Sequence, residues 1–540
     1  MGKRVVLELD LTEAPGEAPP GDPVGYVAAR RRPTLAGTVR ALRDAAEDPD
    51  VAGLVARVGG RLPLARAQEL RDAVHRFAAT GKPAVAWAET FGEGEPATVP
   101  YLLATGFSEI WLQPSGDLGL TGVAVEATFL RGALDKLGLQ PQLAQRHEYK
   151  NAVDRLTRTG FTDAHREAAE RLAVSALEQV VAAVAAARGL TPARVRELVD
   201  EAPLSAPQAL AAGLIDRIGY RDEVYASLRE QGELLYLSRY RRRSAPLRLA
   251  RQVRTRRRKA VAVVRVTGGI SQGRSRRGPL SPSGGAGSDT VGAALRSAGR
   301  ADGIGAVVLR VDSPGGSYVA SDVIWREVRR LRETGTPVVA SMGDVAASGG
   351  YFVAMAADAI VAQPGTITGS IGVFSGKLVT TGLLDRIGVG TDAVVEGRHA
   401  RMFSPLVGFD DEQWRRLEEW LDRVYDDFVG KVAEGRGLSR ERAHELARGR
   451  VWTGADAHER GLVDELGGLD RAVELAAAKA ALDEPEVRRW PPRGMTDLVS
   501  PPRSSEDAAA ASDWSPDLAG LAARLGAPHG PLTMPPLRLT

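Results

Sequence analysis

A chain of 540 residues exceeds one ordinary domain of ~100–200 residues several times over, and its 44% hydrophobic and 26% charged content is that of a folded globular protein. Cysteine is absent, which excludes disulfides, thiolate nucleophiles, iron–sulfur clusters and cysteine-ligated zinc. The 71 basic and 68 acidic side chains leave a net charge of +3, so attraction to nucleic acid or to a membrane needs a local patch.

Along the chain, Met1–Pro23 carries no apolar stretch of signal-peptide length, and no run of ~18 uncharged apolar residues occurs anywhere. Composition therefore predicts a cytoplasmic protein without a transmembrane segment. Compared with itself at an offset of about 250 residues, the chain repeats. GALDKLGL at Gly132–Leu139 matches GLLDRIGV at Gly382–Val389, and each reads as a helix end, a glycine stop and then a strand. Arg188-Gly189-Leu190 matches Arg436-Gly437-Leu438, and AAGLIDRIG at Ala211–Gly219 matches ERGLVDELG at Glu459–Gly467. A duplicated domain follows, with copies over residues 1–238 and 260–484.

Within each copy, β-branched runs such as Ala306–Val311 and Pro337–Ala340 alternate with amphipathic stretches, the pattern of βαβ units around a mostly parallel sheet. The fold class is α/β. One helix is legible in detail, with Trp414, Leu417, Leu421, Val424 and Phe428 on a core-facing stripe opposite Arg415, Arg416, Glu419 and Asp426. Between the copies, Arg239–Lys259 forms a basic linker with eleven cationic side chains in 21 residues. It reads as a solvated connection or as a contact for anionic lipid; without interleaved aromatics it does not suggest nucleic acid. Gln272–Ser288, rich in Gly, Ser, Arg and Pro, reads as a mobile loop able to cover a site. The tail, residues 485–540, holds ten prolines and is expected outside the folded core as a disordered segment or a docked extended strand, an autoinhibitory strand in the active-site groove being one form of the latter.

Candidate chemistry starts with VDSPGGS, Val311–Ser317, where a strand ends in Pro-Gly-Gly before a helical pattern and presents backbone amides to an anion. About thirty residues on, MGDVAASGGYF places Ser348 among small residues before Gly349, whose amide is a second donor. A nucleophilic serine needs a base. The seven histidines form no triad by spacing, there is no HExxH motif for a metal, and His165 and His444 lie on charged helical stretches that read as solvated. A lysine serves if desolvation lowers its pKa, and only 8 of the basic residues are lysines; Lys150 and Lys377 are the two options. The repeat separates them: the first copy lacks the serine, reading AETFGEGEPATV there, while the second reads EGRHARMFSP where the first has HEYKNAVDRL. One copy supplies Lys150 and the other Ser348.

These residues resemble the signal peptide peptidases of the SppA type in their long tandem-domain form, over about Val5–Ala480. VLRVDSPGGS, MGDVAASGGYF, GTITGSIGV at Gly365–Val373, VWTGADAHERGLVDELG at Val451–Gly467 and EYKNAVD at Glu148–Asp154 carry the likeness. The resemblance implies two ClpP/crotonase-like domains, Ser348 as nucleophile, Lys150 as general base, Ser370 as the hydroxyl orienting it, and an oxyanion against the Gly316 and Gly349 amides, with Gly315 shaping the turn. It implies a serine endopeptidase that cuts hydrophobic peptides, notably cleaved signal peptides, through an acyl-enzyme, with no metal or organic cofactor, in a homo-oligomeric ring of tetramer type. Members usually carry an amino-terminal membrane anchor that is not visible here, so peripheral attachment through Arg239–Lys259 at the inner face of the cell membrane is the expected substitute. The alternatives are an acyl-CoA-processing enzyme on the same fold and a non-catalytic membrane-associated scaffold.

Overall fold

A computed structural model describes residues 4–17, 34–243, 259–277, 285–483, 485–491, 513–514, 532–534 and 538–539. The apolar runs in the two halves form two parallel sheets with one strand order. In the first half the order is Glu233–Tyr236, Val5–Leu11, Val51–Val58, Ala84–Ala88, Glu109–Leu112 and Arg217–Ile218. In the second it is Val487–Arg489, Ala260–Thr267, Ile304–Ser313, Val338–Ala347, Ala359–Ala362 and Glu465–Leu466. Side chains on both faces of the inner strands are mostly buried, as their near-continuous Val, Ala and Leu runs require of a sheet covered by helices, while the short edge strands are half-buried to exposed. The second sheet adds Ile367–Gly369 beside the far end of Val338–Ala347, and antiparallel to it Val451–Thr453.

Each half also carries a 26-residue helix, Asp163–Arg188 and Asp411–Arg436, capped by Thr162 or Asp410 and stopped by a left-handed glycine, Gly189 or Gly437. The second is the amphipathic helix expected from its periodicity; Leu417, Leu421, Val424 and Phe428 are buried in the second core.

The halves interlock. Gln140–Gln145 of the first pairs antiparallel with Phe374–Val379 of the second. Arg171 grips Asp456, Ser175 meets Thr453 at 2.8 Å, and the Gly365 N–H donates to Gln68 at 2.7 Å. Buried Arg310 donates to Glu17 at 2.6 Å and to Glu69 at 2.8 Å, and Glu69 also accepts the Leu469 N–H at 2.9 Å. The Arg66 guanidinium holds Asp344, with Asp312 3.9 Å away.

Several expectations change. GLLDRIGV ends its helix at Arg386, but residues 388–396 form no strand and are exposed. The matching strand in the first half pairs with the second half, and the later segment finds no such partner among the described residues. His165 is not solvated: it is 2% exposed, lies against Phe129 and Phe161, and sits 3.1 Å from Asp154. His444 is half-buried and bonds the Tyr425 hydroxyl at 2.9 Å. Met534, in the tail expected outside the core, is 5% exposed. Of the basic linker, residues 244–258 lie outside the described residues, as do 278–284 of the Gly/Ser-rich loop.

Candidate active site

The strand Val338–Ala347 runs directly into Ser348, after which the chain turns into the short helix Gly349–Ala354. Ser348 takes φ 56° and ψ −114°, a conformation that L residues rarely adopt. Two backbone bonds hold it there: its N–H donates to Gly369 O at 2.8 Å, and its carbonyl accepts the Phe352 N–H at 2.8 Å. Strain of this kind persists only where surrounding structure over-determines it.

Lys150 arrives from the first half on the loop that follows Gln140–Gln145, the strand that crosses to the second half. Its Nζ lies 2.8 Å from Ser348 Oγ, 2.9 Å from Ser370 O and 3.0 Å from Ser370 Oγ. Ser348, Lys150 and Ser370 are each 0% exposed. Burial pushes the Lys150 ammonium well below the ordinary lysine range, because no carboxylate among the described residues lies close enough to repay the lost hydration of a charge. A neutral amine has two N–H bonds and one lone pair. Ser370 accepts from Nζ through both its carbonyl and its hydroxyl, and Ser348 Oγ is the third group within hydrogen-bond distance of Nζ.

Gly315–Gly316 packs against Gly349, the residue after Ser348. Gly315 has φ 101°, open to glycine alone, and a side chain on Gly316 would run into the Ile270 carbonyl. A Cβ on Gly349 would stand 3.1 Å from both Gly315 Cα and Gly316 N. The two amides expected to face an oxyanion therefore belong to segments packed against each other beside Ser348.

Lys377 is elsewhere: it donates to Met402 O at 2.7 Å and lies 4.1 Å over the Phe409 ring. Two glycines escaped the sequence reading. Gly449, at φ 84°, and Gly372 form the slot that admits Lys150; a Cβ on Gly449 would stand 2.5 Å from Lys150 Cα, and one on Gly372 3.2 Å from Lys150 Cδ. Beside the slot, Tyr149 N–H donates to Arg448 O at 3.2 Å, and the Arg448 side chain pairs with Glu148. Gly372 lies within GTITGSIGV, read for Ser370 alone, and the signal at Gly449 was only Arg448-Gly449-Arg450 just ahead of the VWTGAD motif, which does not point to a lysine about 300 residues away.

Fold and site together define an α/β protein of two like halves that share one serine and one buried lysine between them. The model of peptidase family S49 matches residues 76–235 and 330–483, once in each half. The chloroplastic serine protease SPPA of Arabidopsis thaliana is 34% identical over 451 residues, covering 81% of this chain and 64% of its own length. Protease 4 of Salmonella typhi is 32% identical over 487 residues, 86% of this chain and 76% of that protein. Protease 4 of Haemophilus influenzae is 32% identical over 460 residues, 81% and 72% respectively. Among solved structures, a ClpP1 mutant from Listeria monocytogenes is similar over 42% of this chain and 98% of its own at 14% identity, with a TM-score of 0.25. The chain belongs to peptidase family S49. It spans about two thirds of the length of its chloroplast relative.

Proposed function

We propose that the protein is a serine endopeptidase that hydrolyses hydrophobic peptides, cleaved signal peptides among them, with Ser348 as nucleophile and Lys150 as general base. The observation that carries this reading is a fully buried lysine, without a carboxylate partner among the described residues, 2.8 Å from a serine hydroxyl in a strained turn.

Neutral Lys150 takes the Ser348 proton as Oγ attacks the scissile carbonyl carbon. The carbonyl oxygen becomes an oxyanion against the Gly316 and Gly349 amides, donors fixed in place before the reaction. The Lys150 ammonium then gives its proton to the leaving amine nitrogen as the C–N bond breaks, and Ser348 keeps the acyl group as an ester. Water attacks that ester with Lys150 again as base, releasing the acid and restoring Ser348. Ser370 fixes the amine so that its lone pair faces Ser348. No step calls for a metal or an organic cofactor. An acyl-CoA enzyme needs the paired amides but assigns nothing to a lysine buried at a serine.

The working form is read as a homo-oligomer. Residues 388–396 match a strand that in the first half pairs with a neighbouring copy of the unit, and Val389, Val394 and Val395 are exposed there. A second chain would supply the missing partner. No single helix among the described residues is long and apolar enough to cross a membrane; attachment through the basic linker predicts salt-sensitive pelleting with anionic vesicles. Lys150→Ala tests the central assignment: hydrolysis of an apolar peptide should fall by at least about 10³-fold with folding intact, and retained turnover overturns it.

A further inference from the structure

The Gly315–Gly316 strand has a neighbour from the far end of the chain. It belongs to a small sheet in the order Ala286–Gly287, Ile270–Ser271, Gly315–Gly316, Leu532–Thr533. The last strand runs antiparallel, with Thr533 opposite Gly315 and Leu532 opposite Gly316. The Met534 N–H then donates to Pro314 O at 2.7 Å. Leu532–Thr533 is thus the edge strand on the segment assigned to the oxyanion. This is the geometry in which an extended peptide adds to an open sheet edge, main-chain bonds giving affinity and pockets giving selectivity.

A pocket is filled as well. The Met534 side chain is buried with Ala347, Ile367, Val451 and Leu172, and Val125 and Val345 lie against the same cluster. Ala347 is the residue before Ser348. Beyond Met534 the chain is held again, as Arg538–Leu539 pairs antiparallel with Val125–Glu126. The sequence prepares the segment for this role: Met534 precedes Pro535, which biases it to extended backbone, and Pro531 precedes Leu532 with its own φ fixed.

We infer that residues 532–534 are a built-in competitor for the peptide-binding strand beside Ser348, and that the pocket holding Met534 is a subsite for an unbranched apolar side chain of the substrate. The inference rests on the hydrolytic reading of the site. A tethered segment acts at an effective concentration of order millimolar, and substrate affinity falls by the fraction of sites left open. If the segment's own dissociation constant is about 0.1 mM, roughly one site in ten is open and freeing the groove tightens apparent binding about tenfold.

Two chains are compared with the full-length protein: one ending at Gly530, and a full-length Met534→Asp variant that puts a carboxylate into the apolar pocket. For an apolar fluorogenic peptide, KM is expected to fall about tenfold in both with kcat unchanged. In a Ser348→Ala background, a labelled peptide with the sequence of residues 530–537 is expected to bind the shortened chain about tenfold tighter than the full-length one. Equal peptide affinity for shortened and full-length chains, or equal KM in all three proteins, overturns the inference. If the labelled peptide discriminates between the chains but none hydrolyses substrate, tail occupancy stands and the peptidase reading fails. If all hydrolyse alike, the peptidase reading stands and the competitor does not.

Discussion

Gly449→Ala should disable the enzyme without touching any group that reacts. A methyl there would stand 2.5 Å from both Lys150 Cα and Lys150 Cβ, against an ordinary carbon–carbon contact of about 3.5 Å, so the Lys150 loop must retreat by about 1 Å. The lysine's bonds to Ser348 and Ser370 measure 2.8, 2.9 and 3.0 Å, and a shift of that size carries them out of hydrogen-bond range. A misplacement of ~1 Å costs about 10²-fold in rate. The substitution also strains the backbone, since Gly449 has φ 84° and a side chain in left-handed backbone costs about 1–2 kcal/mol. Gly437→Ala separates the two effects, because Gly437 has φ 63° with nothing within 4 Å of its would-be Cβ. The assay is kcat/KM on an apolar peptide alongside chemical denaturation. Both variants should lose the backbone-strain part of stability, Gly449→Ala losing more through its clash with Lys150, and only Gly449→Ala should lose about 10²-fold in kcat/KM. Wild-type kcat/KM in Gly449→Ala, or equal losses in the two, would refute the idea that this slot sets the position of Lys150.

Because burial depresses the Lys150 pKa, kcat/KM should rise with pH along a limb well below the ordinary lysine value of ~10.4; a limb at that ordinary value would contradict a buried neutral base. The same depression means the native state binds fewer protons than the unfolded chain between the two pKa values, so this group's contribution to stability grows as pH rises through that window, and Lys150→Met should remove that slope. Burial, followed by the neighbouring Asp344, raises Asp312 to about 7. The native state therefore keeps a proton that the unfolded chain releases from pH ~4 upward. That contribution is lost as pH climbs from ~4 to ~7, and Asp312→Asn should flatten the denaturation midpoint across that range. Arg310→Met leaves Glu17 and Glu69 buried without their cation and should cost about 3–5 kcal/mol by urea denaturation, while a loss below about 1 kcal/mol would show that the carboxylates simply take up protons.

The duplication was legible because each half must rebuild the same βαβ elements, so helix stops such as Gly189 and Gly437 recur at matched spacing. The pairing of Lys150 with Ser348 was legible for a subtler reason: each half lacks what the other holds. What escaped the sequence is mostly contact between distant segments. The glycine slot at Gly449 shows only once Lys150 is in place, since a lone glycine at positive φ usually marks nothing more than a turn. The segment after Gly388 has the same local signals as Gln140–Gln145, and only the partner strand decides which of them becomes a strand. His165 was misjudged because a charged helical stretch says which face is polar on average, not that one ring is clamped between Phe129 and Phe161. The tail was expected as a disordered segment or a docked strand, and which of its residues dock, Leu532–Thr533, follows only from the edge at Gly315–Gly316.

The central claim is that Lys150 activates Ser348. Intact-protein mass spectrometry after exposure to an acylating fluorophosphonate tests it most directly, comparing wild type, Ser348→Ala and Lys150→Ala, with the chain ending at Gly530 included so that the groove is open. One covalent adduct is predicted on wild type and on the shortened chain, and none on either point variant. Undiminished labelling of Lys150→Ala, or no labelling of the folded shortened chain, would contradict the account.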